Sequence, residues 1–148
     1  MAIKFSISKV KEIMAEHPVL ADPNTTIKEA AGKMKVVGCG CLPVGVGHDL
    51  AGIITDRDII IRAIAEGKDP KKTSIKPYMT EDVKFCHEDD TIESAAEKMQ
   101  LYRVNRLVVK NKDEHVTGVL SFGHILKHDV RAGDLADIVK GAAGPIGC

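Results

Sequence analysis

The chain repeats itself, and no other property constrains its fold as strongly. Thr91-Ile92 stands 65 residues after Thr26-Ile27, and at that separation Ala95-Ala96 repeats Ala30-Ala31 and Lys98-Met99 repeats Lys33-Met34. Leu107 repeats Leu42, Val109 repeats Val44, and Glu81 repeats Glu16. The lead-in Ile75-Lys76-Pro77-Tyr78-Met79 answers Val10-Lys11-Glu12-Ile13-Met14. One inserted residue in the second hairpin turn, Asn111 to Glu114, lengthens the separation to 66 between Gly52 and Gly118. Matches at one fixed shift over most of a chain mark a tandem duplication.

Each copy reads strand–helix–strand–strand–helix. Pro18-Val19-Leu20-Ala21 is a short strand closed by Asp22-Pro23-Asn24. Thr26 then opens a helix, with Glu29 three residues on as a capping box. Ile27, Ala30, Ala31, Met34 and Val37 give it one apolar face, and Gly38 ends it. Leu42 to Val46 and Leu50 to Ile54 form a hairpin around Gly47-His48-Asp49, and a second helix is expected from Thr55 to about Glu66. Residues 67–74, polar with Gly67 and Pro70, read as the linker. The expected organisation is repeat 1 at 7–66, repeat 2 at 75–131, and a tail, 132–148, with a short helix from Asp134 to Lys140. A small sheet with helices on one face leaves its other face apolar. Packing two copies sheet to sheet covers both, which places the chain in the mixed α/β (α+β) class.

The stretch that carries chemistry is Gly52-Ile53-Ile54-Thr55-Asp56-Arg57-Asp58, a strand end running into a helix start. Read alone, Thr55 and Asp58 are a capping box and need no ligand. A helix N-terminus also presents N–H groups and a positive dipole end, which suit a phosphate, and Thr55 adds a hydroxyl. Asp58, an acceptor-only carboxylate, can take two hydrogen bonds from the 2′- and 3′-hydroxyls of a ribose. The second copy, Gly118-Val119-Leu120-Ser121-Phe122-Gly123-His124, keeps the hydroxyl in Ser121 but puts His124 where Asp58 stands. A neutral imidazole cannot accept two ribose hydrogen bonds, although His124 titrates near neutrality and can carry charge beside a phosphate. Gly52 and Gly118 read as close-packing positions.

Composition narrows the function classes. The 148 residues carry 21 basic and 21 acidic side chains, with no block of like charge, which argues against nucleic-acid or anionic-membrane surfaces. Aromatics are only 3%, so the core must come from aliphatic residues, Ala and Met. No apolar run has the length of a signal peptide or a membrane span, and a cytoplasmic protein is expected. Cys39, Cys41, Cys86 and Cys148 lack paired metal-site spacing, and His87 beside Cys86 is a lone neighbour. They read as small apolar residues and a tail thiol, with no metal expected. No nucleophile–base constellation and no Gly-rich Walker loop is present.

With its duplicated Gly-x-x-Thr/Ser motif, its Met14 and Met79 lead-ins, and its Leu42-Pro43-Val44 and Leu107-Val108-Val109 strands, the chain resembles a tandem pair of CBS domains, a Bateman module. It resembles the small stand-alone CBS-pair proteins, the hypoxic response protein type among them. The resemblance implies two repeats packed about a pseudo-twofold axis, two clefts that take adenosine nucleotides or other adenosyl compounds, and pairing into a homodimer. Carried over by position, Thr55 contacts phosphate, Asp58 holds the ribose, and Arg57 lies beside them. Gly40 and Cys41 line the base pocket, and the partner repeat contributes around Thr80, Val83 and Lys84. The second, weaker or empty, cleft uses Ser121 and His124 with Arg106, Cys39, Gly40, Pro18 and Val19.

The function so implied is a non-enzymatic sensor or regulatory module for AMP, ADP or ATP, needing no cofactor and acting on an unidentified regulated protein. Two other ligand readings stand beside it: a binder of NAD or S-adenosylmethionine, and a protein-interaction module with empty clefts. A small hydrolytic enzyme using Cys41 or His124 lacks any base or orienting partner in sequence.

Overall fold

The computed structural model describes residues 8–16 and 20–128. The expected tail helix, Cys148, and Pro18 and Val19 lie outside the described residues. Contacts divide the chain into two compact units, one spanning His17–Val83 and the other Met1–Glu16 with Lys84–Cys148. These are here called the first-repeat and second-repeat units.

In the second-repeat unit α1 (Val10–Ile13) leads to β1 (Ala15–Glu16), and after the excursion through the other unit come β4 (Phe85–His87), α4 (Ile92–Tyr102), β5 (Arg106–Lys110), β6 (Val116–Ser121) and α5 (Phe122–Lys127). The sheet order is β1-β6-β5-β4, with β4 parallel to β5 and the other pairs antiparallel. Thr91 caps α4 by accepting from the Ser94 N–H at 3.1 Å. Ile92, Ala95, Ala96 and Met99 then turn one helical face into a core with Val10, Cys86, Leu107, Val109, Leu120 and Ile125.

The first-repeat unit contains α2 (Ile27–Val37), the hairpin of β2 (Cys41–Val46) and β3 (Asp49–Thr55), and α3 (Asp56–Asp58), which runs directly into a π-helical turn, Ile59–Ile64. The Thr26–Glu29 capping box is present on α2, and Gly38 closes that helix at φ 73°. Its core is the same set shifted by the repeat: Ile27, Ala30, Met34, Leu42, Val44, Ile54, Ile59 and Ile75. Among the described residues, the outer strands are represented here by single bridges. Ala21 pairs in parallel with Val44, and Ile53 pairs antiparallel with Thr80. Both hairpins shift register at the same point, Val44/Gly45 and Val109/Lys110.

The lead-ins are exchanged. Residues 8–16 fold with the second repeat, where Val10 joins its core, while Ile75 and Met79 fold into the core of the first. The glycines before each motif explain the close fit. A Cβ on Gly52 would stand 2.7 Å from the Thr80 carbonyl oxygen and 2.9 Å from Met79 Sδ. On Gly118 it would stand 2.5 Å from the Ala15 oxygen and 2.8 Å from Met14 Sδ. Only a hydrogen fits under each methionine.

Cys41 and Cys86 are fully buried. Burial pushes the Cys86 thiol up to about 12, so it stays protonated and packs as a small apolar group. Among the described residues no cluster of three His, Cys, Asp or Glu is placed to hold a metal ion, and no helix is long and apolar enough to cross a membrane.

Candidate functional site

Strand pairing assembles most of the first predicted set within one unit. Cys41 lies opposite Thr55 across the hairpin, and the Asp56 N–H donates to the Gly40 carbonyl at 2.9 Å, which ties the start of β2 to the start of α3. Thr80 joins from the other edge, exchanging both backbone hydrogen bonds with Ile53 at 2.8 and 2.9 Å. Val83 closes a tight turn by donating to the Glu81 carbonyl. The sequence reading draws Thr80 and Val83 from the second repeat. In the structure both belong to the unit that holds Thr55, because buried Ile75 and Met79 anchor their segment there. Lys84 belongs to the other unit, with its Nζ 5.0 Å from the Tyr102 ring centroid.

The capping box is complete in both directions. Thr55 Oγ1 accepts from the Asp58 N–H at 3.1 Å, and Asp58 Oδ2 accepts from the Thr55 N–H at 3.0 Å. This fixes the carboxylate through Oδ2, while Oδ1 lies 4.0 Å from Arg62 Nη1. Arg62 itself donates to the Tyr78 carbonyl at 2.9 Å. The Arg57 N–H is taken by Asp56 Oδ1 at 2.8 Å, and the Arg57 side chain is exposed. The free N–H groups expected at this helix start are therefore absent. Every backbone donor from Thr55 to Asp58 is already engaged, and the α turn is three residues long before it widens into the π register. What the turn offers is two acceptors, Asp58 Oδ1 and the Asp56 carboxylate, and one donor, the Thr55 hydroxyl hydrogen.

Sequence reasoning missed Asp56 and Arg62. Arg62 follows Asp58 by four residues, a spacing at which helical side chains meet, so its role was readable. Asp56 gave only the general signal of an acid in a first turn.

A groove of about 390 Å³ opens between α2 and α3, lined by Met34, Cys39, Gly40, Asp56, Ile59 and Ile60 among others. Of the predicted residues it holds only Cys39 and Gly40.

The second-repeat unit builds the same backbone with other side chains. The Phe122 N–H donates to the Asn105 carbonyl at 2.9 Å, repeating Asp56 on Gly40. The His124 N–H donates to Ser121 Oγ at 3.2 Å, and His124 Nδ1 accepts from the Ser121 N–H at 2.9 Å. An accepting Nδ1 puts the ring proton on Nε2. Burial first, then the charges of Lys127 and Arg106, lower the His124 pKa, so the imidazole is neutral at pH 7. The charge that sequence offered for a phosphate is thereby withdrawn. Arg106 is half-buried on β5.

A duplicated strand–helix–strand–strand–helix unit, each copy ending its hairpin in a hydroxyl-capped helical turn, defines a CBS-pair module. The CBS domain family model matches residues 10–64 and again 75–131, and the chain belongs to that family. It is 30% identical over 119 residues to the CBS domain-containing protein YhcV of Bacillus subtilis, covering 80% of this chain and 84% of that one. It is also 32% identical over 123 residues to inosine-5′-monophosphate dehydrogenase of Methanocaldococcus jannaschii, covering 82% of this chain but 24% of the enzyme. Among solved structures, the CBS domain pair of protein MJ0100, in complex with 5′-methylthioadenosine and S-adenosyl-L-methionine, is similar at TM-score 0.70 and 31% identity, covering 82% of this chain and 95% of that one. Hypoxic Response Protein I, solved with two coordinated zinc ions, shares the fold at TM-score 0.68 and 24% identity, covering 82% of this chain and 98% of that one.

Proposed function

We propose that the chain is a non-enzymatic regulatory module that binds an adenosine-containing ligand at the Thr55–Asp58 turn of the first-repeat unit. AMP, ADP, ATP and adenosyl compounds such as S-adenosylmethionine are its candidate ligands. One observation carries this reading. The capping box pins Asp58 through Oδ2 and keeps Oδ1 out of that bond, 4.0 Å from Arg62 Nη1, as an acceptor that can receive a ribose diol without reorganising. The relative solved with two adenosyl ligands supports the ligand class. Cys41, opposite Thr55, and Thr80, bridged to Ile53, flank the end of the same strand.

Binding would act by favouring one arrangement of the module over another. No turnover is expected, since the sequence shows no nucleophile–base constellation. Val36, Val37, Ile60, Ile61 and Ile64 leave apolar side chains exposed on the helices of this unit, which supports pairing with a second copy. The expected setting is cytoplasmic, with a separate regulated protein as target. The test is Asp58→Ala. Thermal shift and calorimetry should find ligand binding lost while the fold persists, because a lost cap costs only about 1 kcal/mol. Unchanged affinity in that variant would reject the site.

A further inference from the structure

We propose that Asp56 makes the Thr55–Asp58 site select adenosine ligands whose 5′ substituent is uncharged or cationic, and disfavour those that carry phosphates. This selectivity rests on the adenosyl reading of the site given above.

A phosphate seated at a helix start is ordinarily met by unpaired backbone N–H groups and by the summed dipole behind them. Neither is available here. The four donors of the turn go to Asp58 Oδ2, the Gly40 carbonyl, Asp56 Oδ1 and Thr55 Oγ1, at 3.0, 2.9, 2.8 and 3.1 Å. The α-helical run behind them is three residues long. A phosphate would have to break a protein hydrogen bond for each amide it gained.

Charge points the same way. The Asp56 carboxylate is exposed and makes no ion pair among the described residues. It sits over Gly40, where an added Cβ would collide with Oδ2 and come within 3.1 Å of Oδ1. Gly40 carries the residue type that leaves this space open, so the acid stands between two members of the proposed site. Arg62, the cation beside Asp58, is committed to the Tyr78 carbonyl. Exposed Glu81 and Asp82 follow Thr80 in the bend after its bridge to Ile53. A monophosphate brings about −1.5 to −2 charges at neutral pH, and a triphosphate more, into a turn that already holds the Asp56 and Asp58 carboxylates with only the exposed Arg57 between them. A thioether or sulfonium at the 5′ position brings none, or a single positive charge.

The test is calorimetry on the full chain with 5′-methylthioadenosine, AMP and ATP, comparing wild type with Asp56→Asn. Asparagine keeps an oxygen to cap the Arg57 N–H while removing the charge. The expected wild-type order is 5′-methylthioadenosine tightest and ATP weakest, with at least about a tenfold gap between them, the size of one close like-charge contact. In Asp56→Asn the affinity for ATP should rise several-fold relative to that for 5′-methylthioadenosine, and an unchanged thermal unfolding midpoint certifies the fold. Added salt should strengthen ATP binding to wild type, since it screens repulsion. ATP binding tightest to wild type would overturn the selectivity and leave the adenosyl reading standing. An ATP affinity unmoved by Asp56→Asn would overturn the role of Asp56. Binding of none of the three ligands would overturn both.

Discussion

The turns at Thr55 and Ser121 share a backbone and differ in nearly everything a ligand would touch. Both end a hairpin strand, both donate their first helical N–H to the carbonyl of the residue before the preceding strand, and both close a three-residue cap with a hydroxyl. The first then presents two carboxylates and is backed by Arg62. The second presents a neutral imidazole, with Gly123 in place of Arg57 and His128 in place of Arg62. Duplication copied the scaffold, whose requirements are packing and backbone pairing, and left the exposed positions to diverge. A site in such a chain must therefore be read from its own side chains, one copy at a time.

Four variants sharpen the contrast, in decreasing order of expected effect. Asp58→Ala should weaken adenosyl binding by about a hundredfold, near 2.7 kcal/mol, as expected for loss of charge-assisted hydrogen bonds to a ligand. The matching change at His124 should leave binding at the Thr55 turn unaltered in the same calorimetric series. Gly52→Ala tests the scaffold. Its methyl must displace the Thr80 carbonyl or Met79, and a loss of about 2 kcal/mol should appear in denaturant unfolding. Full stability would mean that the exchanged lead-in is not held as described.

The third variant reads pH. The folded state holds the His124 pKa below the ordinary value of 6.5, so the folded form binds fewer protons than the unfolded chain as pH falls through that range. Its contribution to stability is fully present above pH 6.5 and is lost on acidification toward the lowered folded value. His124→Gln should flatten the stability profile below pH 6.5, read by denaturant unfolding across that range. The smallest effect is at Arg103, which ends α4 in the left-handed region at φ 54°, where α2 uses Gly38. Arg103→Gly should gain up to about 1 kcal/mol by thermal unfolding, since a side chain is unfavourable in that conformation.

Much of this was legible in the sequence because it depends on local rules. The caps at Thr26, Thr55 and Ser121, the apolar stripe of α2 and its copy in α4, and the two hairpins all follow from short spacings. The close packing of Gly52 and Gly118 could be inferred from position in the strand. What escaped depends on contacts distant in sequence or on competition between near-equal local choices. The exchange of lead-ins is set by where Val10 and Ile75 find a core, which no periodicity records. The π register after Asp58 replaces an α-helix expected to reach about Glu66, and the apolar pattern Ile59-Ile60-Ile61 does not distinguish the two. The sequence reading counted helix-start amides as open. The side chain of Asp56, at the first helical position, fills one of them, and the Gly40 carbonyl fills another.

The most direct test of the contrast between the turns is a backbone-amide NMR titration of the full chain with 5′-methylthioadenosine. The account predicts saturable shifts confined to Gly40, Cys41, Thr55–Asp58 and the Thr80 segment, one ligand per chain, and none of it in Asp58→Ala. Shifts of equal size and affinity around Ser121–His124, or binding that survives Asp58→Ala, would contradict it.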